Sequence, residues 1–451
     1  MRGFDLLIRG GSVVTPAEVR HLDIGIVAGQ IAALESELNG SAAETLDATG
    51  LHIFPGLIDA HVHFNEPGRA DWEGFESGSR AFAAGGGALF FDMPLNSSPS
   101  TIDGASFDKK LAAAEASSLV DFAIWGGLVP DNLARLEELS RRGVVGFKAF
   151  MADSGMDDFP RADDHTLRTG MKQAAQLNKV VAVHAESQEM VRSKTEQLLL
   201  AKATSARDYL DSRPIEAELD AIGRALEMAG ETGCALHIVH VSCGAGLALI
   251  ASARNHGVKV TCETCPHYLT LLDEDVLRIG ALAKCAPPLR AKPAQDGLWE
   301  YLRSGQITLI GSDHSPAPPE MKTDPNFFKV WGGISGVQHT LPLMITEGVE
   351  KRQLPLPTLV RLTSFNVAQR FNLPPAKGRI AKNSDADLAL VDLQQRLEVN
   401  SADLFYRHQQ SPYFGRTLTG KVVQTILRGQ TVFKDGQFVS KPLGRLVKPI
   451  M

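Results

Sequence analysis

The sequence predicts an α/β protein: a (β/α)8 TIM barrel beside a small β-sandwich domain formed by both chain termini. Three observations lead there. Between residues 52 and 316, eight short apolar, β-branched runs alternate with longer amphipathic stretches. The near-continuous hydrophobicity of those runs marks strands covered on both faces, the habit of parallel sheets. The chain ends lose this rhythm and show short strand-like runs broken by Gly and Pro turn signals, as an antiparallel sheet would.

In chain order, residues 4–51 (FDLLIRGGSVVTPAE, then HLDIGIVAGQIAALE) read as terminal strands. The barrel runs follow at 52–64, 86–94, 120–128, 144–151, 180–186, 235–242, 258–266 and 307–316. Between them lie helix-like stretches such as DNLARLEELSRRG (131–143) and PIEAELDAIGRALEMAGETG (214–233). The second opens on a proline and closes on Gly233, a favourable start and stop. Residues 378–438 return to the terminal pattern. Neither terminal half can bury a core alone, so the expected division is 1–51 plus 375–451 for the composite β-domain and 52–374 for the barrel.

Composition narrows the function classes. The chain has 451 residues, 46 basic against 52 acidic side chains and a net charge of −6, so it presents no basic face for nucleic acid. The first residues, MRGFDLLIRGGSVV, place Arg and Asp where a signal peptide needs an unbroken apolar core. No window approaches the roughly 18 apolar residues of a membrane span. Five scattered cysteines (Cys234, Cys243, Cys262, Cys265, Cys285) fit reduced thiols in the cytoplasm better than a disulfide framework.

In a (β/α)8 barrel, reactive groups project from the carboxyl ends of the strands. His61 and His63 close the first run, Lys148 sits in the fourth, His184 in the fifth, His240 in the sixth and Asp313 in the eighth. Any one of them alone also fits a hydrogen-bonded core residue. His-X-His is stronger, because strand residues i and i+2 point to one face, and imidazole with carboxylate suits Zn²⁺, Co²⁺, Mn²⁺ or Fe²⁺. A bare ammonium at Lys148 facing cations is doubly unfavourable. Carboxylated by carbon dioxide (N6-carboxylysine), it becomes an anion able to bridge two metals. Two divalent ions less three negative charges, from that lysine, Asp313 and a hydroxide, leave a site near +1, electrophilic enough to polarise a carbonyl.

The motifs HVH, GFKAF, VHAE, HVS and GSDHSP, with ETCPHYLT and APPLR, resemble the amidohydrolase superfamily and its cyclic amidohydrolase branch of dihydroorotases, hydantoinases and allantoinases. The resemblance implies that His61, His63 and Asp313 hold one metal, His184 and His240 the other, with Lys148 bridging them. Dihydroorotases carry an arginine where this chain has Asn65, and hydantoinases a tyrosine shortly after the lysine motif, absent from AFMADSGMDDF. The segments HVHFNEPGRADWEGF, FDMPLNSSPST, FKAFMADSGMDDF and WGGISGVQ are similar to those of allantoinases.

That likeness implies hydrolysis of the ring amide of allantoin, with Asp313 as ligand and general base, and a homo-oligomer, commonly a tetramer. Asn65 and Asn96 suit a neutral, amide-rich substrate or else tie down loops; Gly332 and Gly333 admit close backbone approach or shape a turn. A broad-specificity hydantoinase and a non-catalytic assembly protein of the same fold remain the alternatives. Cys262 and Cys265 read as core, His237 and His314 as facing away from the mouth by strand parity, and His267 and Asp59 as partners that orient the ligands.

Overall fold

The computed structural model describes residues 3–450. Eight short parallel strands form the barrel: β1 (Leu57–Val62), β2 (Gly87–Asp92), β3 (Asp121–Ile124), β4 (Gly146–Phe150), β5 (Val180–His184), β6 (Ala235–Ile238), β7 (Val260–Thr264) and β8 (Leu309–Ile310). Parallel ladders join β1 to β2 to β3 and run from β4 through to β8. Two seams complete the ring with few bonds. Val145 N–H donates to Ile124 O at 3.0 Å between β3 and β4. Between β8 and β1, Asp59 Oδ1 accepts the backbone N–H of both His61 (3.0 Å) and Ser312 (3.1 Å), and His63 N–H donates to His314 O at 2.8 Å.

Helices cover the outside. In Ile215–Thr232 the buried residues Ala217, Ala221, Ile222, Ala225, Met228 and Ala229 recur at helical spacing and face the barrel. This helix follows Pro214 and ends at Gly233, whose φ of 68° places it in the left-handed region, as its sequence signals predict. The stretch 131–143 divides instead into a 3-10 turn, Pro130–Arg135, and a short α-helix, Leu136–Arg142.

The first apolar run, 52–64, does not form one strand. His52–Pro55 pairs in the terminal sheet with Ser12 and Val13 on one side and Leu388–Val391 on the other, and only Leu57–Val62 enters the barrel. The chain passes between layers at Gly56, where an added Cβ would meet Ala88 Cβ at 2.4 Å. We propose that the domain division falls there rather than after residue 51. Of the terminal strands, the sequence predicts a sandwich of facing sheets; hydrogen bonding joins them into one branched sheet of nine strands. Phe4–Val14 carries Ala42–Asp47 along its first half and His52–Pro55 along its second. Ile8, Val13, Ile24, Ile26, Ile53, Leu388 and Leu390 fill one cluster of that sheet.

The terminal sheet meets the barrel through charge as well as packing. Lys377 Nζ, almost fully buried, lies 2.7 Å from Asp121 at the start of β3, 2.8 Å from Asp387 and 3.0 Å from Asp385. Arg428 from the terminal sheet makes a second ion pair with Asp121. Removing a buried partner leaves the remaining charges uncompensated. Lys377→Met is therefore expected to lower the unfolding free energy by about 3–5 kcal/mol, measured by urea denaturation. A loss under about 1 kcal/mol, the scale of an exposed ion pair, would show that the cluster is solvated.

Candidate metal centre and active site

The carboxyl ends of the strands bring the six candidate ligands together. His61 and His63 stand with ring centroids 5.5 Å apart. Asp313 Oδ1 lies 3.2 Å from His61 Nε2 and 3.4 Å from His63 Nε2. Ligand atoms of His61, His63 and Asp313 all fall within 4.8 Å of one another, a group able to hold a metal ion. On the other side, His184 Nδ1 faces His240 Nε2 at 3.1 Å, near the separation of about 3.3 Å that two nitrogens have when each lies 2.0–2.1 Å from one tetrahedral ion.

Backbone geometry, not strand parity, delivers two of these groups. β6 ends at Ile238 and β8 at Ile310, and beyond them His240 (φ 38°) and Asp313 (φ 46°) both adopt the left-handed region that non-glycine residues rarely occupy. Such strain costs of order 1–3 kcal/mol each and collects at functional sites. His237 is not turned away, as parity predicts; it points into the barrel one layer deeper, where its Nε2 lies 3.2 Å from Glu263 Oε2. His314 does face away, with Nδ1 accepting the Gly336 N–H at 3.1 Å.

Lys148 is fully buried on β4, and its Nζ has no hydrogen-bond partner. Burial pulls its amine down to about 8, against the opposing pull of Glu263 and Asp313. His240 Nδ1 is likewise buried and unpartnered. Burial also lowers His63, His184 and His240, which keeps these rings neutral and their lone pairs free. Burial pushes Asp313 up, but the neighbouring His61, His63 and His240 prevail and hold it well below the usual carboxylate range.

Two glutamates that motif reading left without a role organise the histidines from behind. Glu263 on β7 contacts His61 Nδ1 through one oxygen and His237 through the other. Glu186 lies 2.8 Å from His184 Nε2 and pairs with Arg213. Burial opposes the charge of each, yet their histidine and arginine partners hold both at about 2. The signal that could have found them is the one that singled out Lys148: an ionisable residue inside an otherwise apolar strand run, as in VTCET and VHAE. Asp59 binds the His61 backbone rather than its ring, and His267 Nε2 is buried without a partner, so neither orients a ligand ring as expected.

The centre opens into a cavity of about 520 Å³ lined by Asn96, Gly332 and Gly333 among others. Asn96 Nδ2 lies 3.3 Å from His63 Nδ1 and 3.4 Å from Ser315 Oγ. Asn65 is not in this lining. Its Nδ2 donates to Pro316 O at 3.3 Å and ties down the loop after β8, while its buried Oδ1 has no partner. Gly333 is needed for close approach, since an added Cβ would sit 2.1 Å from Ser315 O, whereas at Gly332 it would meet nothing nearer than 4.0 Å.

A model of the amidohydrolase family matches residues 52–432. The chain is 55% identical over 449 residues to the allantoinase of Rubrobacter xylanophilus, covering 100% of this chain and 98% of that one. It is 52% identical over 445 residues to the allantoinase of Deinococcus radiodurans, covering 99% of each. The chain belongs to the allantoinases of the amidohydrolase family. Among solved structures, the L-hydantoinase (dihydropyrimidinase) from Arthrobacter aurescens matches this allantoinase-family chain with a TM-score of 0.96 and 34% identity, over 99% of this chain and 100% of that one.

One wall of the amidohydrolase cavity hangs on two lysines, Lys284 buried and Lys322 half-buried. Lys284 Nζ donates to Phe327 O (2.7 Å) and Val330 O and lies 4.3 Å from the Tyr209 ring centroid; Lys322 Nζ donates to Trp331 O (2.9 Å) and Gly333 O (2.8 Å). Together they fix the segment 327–333. Lys284→Met removes that tether, and the expected result is a KM raised about 2- to 10-fold, the range of one or two lost hydrogen bonds, with a smaller change in kcat. Steady-state kinetics with limited proteolysis of the segment checks it.

Proposed function

We propose that the chain hydrolyses the ring amide of allantoin to allantoate, a step of purine and ureide nitrogen catabolism. Two divalent ions, zinc foremost, would be held by His61, His63 and Asp313 on one side, by His184 and His240 on the other, and bridged by carboxylated Lys148. The carrying observation is the convergence of five ligand atoms around a buried amine with no partner. An unmodified ammonium has no hydrogen-bond partner there, whereas a carbamate would add a second anion beside Asp313 to the donor set. The allantoinase relatives select the substrate.

When bound, such an ion pair polarises the ring carbonyl and lowers the pKa of a water toward neutrality. Asp313, a carboxylate at neutral pH, accepts the proton of the attacking water and delivers it to the departing ring nitrogen. Glu263 and Glu186 hold His61 and His184 with the nitrogens that face the centre unprotonated. Asn96 offers its amide to the neutral substrate, and Gly332 leaves room for the ureido arm. Burial of the centre excludes bulk water from the amide under attack.

No helix among the described residues is long and apolar enough to cross a membrane. All five cysteines are free and buried. We infer a cytoplasmic enzyme, on the argument that free thiols suit a reducing compartment, and a homo-oligomer, to be sized by light scattering.

Two expectations follow from the site. Purified protein assayed on allantoin, hydantoin, dihydrouracil and dihydroorotate should favour allantoin by at least about 100-fold in kcat/KM, since a site built for a polar arm leaves groups unpaired without it. A preference for hydantoin would make the chain a hydantoinase. The Lys148 amine is neutral above about 8 and charged below it, and only the neutral amine reacts with carbon dioxide. Metal-free protein in ¹³C-bicarbonate should therefore show a carbamate signal by NMR that weakens as pH falls from 8 toward 6 and is missing in Lys148→Ala. A pH-independent signal, or one that survives the substitution, would place the carbamate elsewhere.

A further inference from the structure

A line of hydrogen bonds runs through the barrel from its mouth to its far end. His61 Nδ1 meets Glu263 Oε1, and Glu263 Oε2 lies 3.2 Å from His237 Nε2. His237 Nδ1 lies 2.9 Å from Thr261 Oγ1, which in turn accepts Arg370 Nε–H. Arg370 also donates through Nη2 to Leu236 O at 3.0 Å, at the opening residues of β6, so the chain ends at the amino-terminal face of the barrel. Of these residues His61, His237 and Glu263 are almost completely buried, and Phe371 covers the His237 ring edge-on.

The direction of this chain is set at both ends, by a donor-only arginine and an acceptor-only carboxylate. Arg370 has donors and no acceptor, so Thr261 Oγ1 must accept from it. The threonine has a single proton to give. Its choices are Leu236 O at 3.3 Å, which also accepts from Arg370, and the nearer His237 Nδ1 at 2.9 Å. Given to Nδ1, it leaves the neutral ring with its proton on Nε2, which donates to Glu263 Oε2. A carboxylate accepts at both oxygens, so His61 donates from Nδ1 and keeps its lone pair on Nε2, the nitrogen that faces Asp313 and the centre.

We propose that Arg370, at the opposite end of the barrel, orders His237 through Thr261 so that its Nε2–H anchors Glu263 Oε2 and keeps Oε1 aimed at His61 Nδ1, and so governs how tightly the first metal position is held. The inference rests on the reading that His61 is a ligand. Thr261, His237 and Arg370 are then positioning residues that never touch substrate. Thr261→Val keeps the shape and removes the proton that orders His237, and Arg370→Met removes the group that orders the threonine.

The test titrates metal-free protein with Co²⁺, followed by its visible absorption, which is independent of turnover. Thr261→Val and Arg370→Met should each weaken Co²⁺ binding about 10-fold, at the lower end of what outer-shell partners of metal ligands contribute, while Thr261→Ser restores it. Thr308→Val is the control: Thr308 Oγ1 contacts Arg254 and the Cys262 N–H at the same end of the barrel but lies outside the chain. It should bind as the wild type does. Folded Thr261→Val and Arg370→Met proteins that bind Co²⁺ like the wild type would overturn the proposal, as would an equal loss in Thr308→Val. Should the wild type itself take up no Co²⁺, the reading of the centre fails instead.

Discussion

A primary amine fully enclosed in a strand, with nothing to donate to, is the constraint around which the mouth of this barrel is organised. Lys148 has no exposure and no partner, yet two carboxylates, Glu263 and Asp313, stand near enough to oppose its loss of charge. Both carboxylates are committed to histidines. The amine is left without an ion-pair partner in a region rich in imidazole lone pairs. Under the proposed function, cations with an anionic lysine between them would satisfy all these groups at once.

Much of this was legible in the chain. The eight apolar runs identify a closed parallel sheet because strands covered on both faces cannot alternate, and HVH marks a candidate ligand pair because i and i+2 share a face. Parity then loses its hold where strands end. His240 and Asp313 lie past the last ladder pair in left-handed backbone, a conformation that neither residue type announces. Of the two histidines only His240 lines the mouth, while His237 is buried deeper against Glu263, a place that parity alone does not specify. Asn65 shows the complementary limit: its place after HVH is readable, but whether its amide faces substrate or Pro316 depends on a loop distant in sequence. Glu263 and Glu186 were visible as charges in apolar runs and gain a meaning only once their histidine partners are placed.

The ligand histidines are held from behind by unlike means. His184 leans on a glutamate neutralised at close range by Arg213, near the cavity wall. His61 leans on a glutamate whose second oxygen faces down the barrel axis into packed protein. The first support can feel solvent and substrate; the second is sealed from both. The two histidine groups of the mouth thus sit in different electrostatic surroundings even though they are chemically alike.

The passage of the chain at Gly56 bears on how such a molecule can be divided. Four residues of one continuous run complete the terminal sheet, and the next six begin the barrel with the first histidine near their end. Excising the amino-terminal strands would strip the edge partner from Ile53 and loosen the very segment that aims His61. The appended layer is therefore no detachable accessory but a splint for the first catalytic strand, and recombining halves of related enzymes would succeed only where that seam travels as one piece.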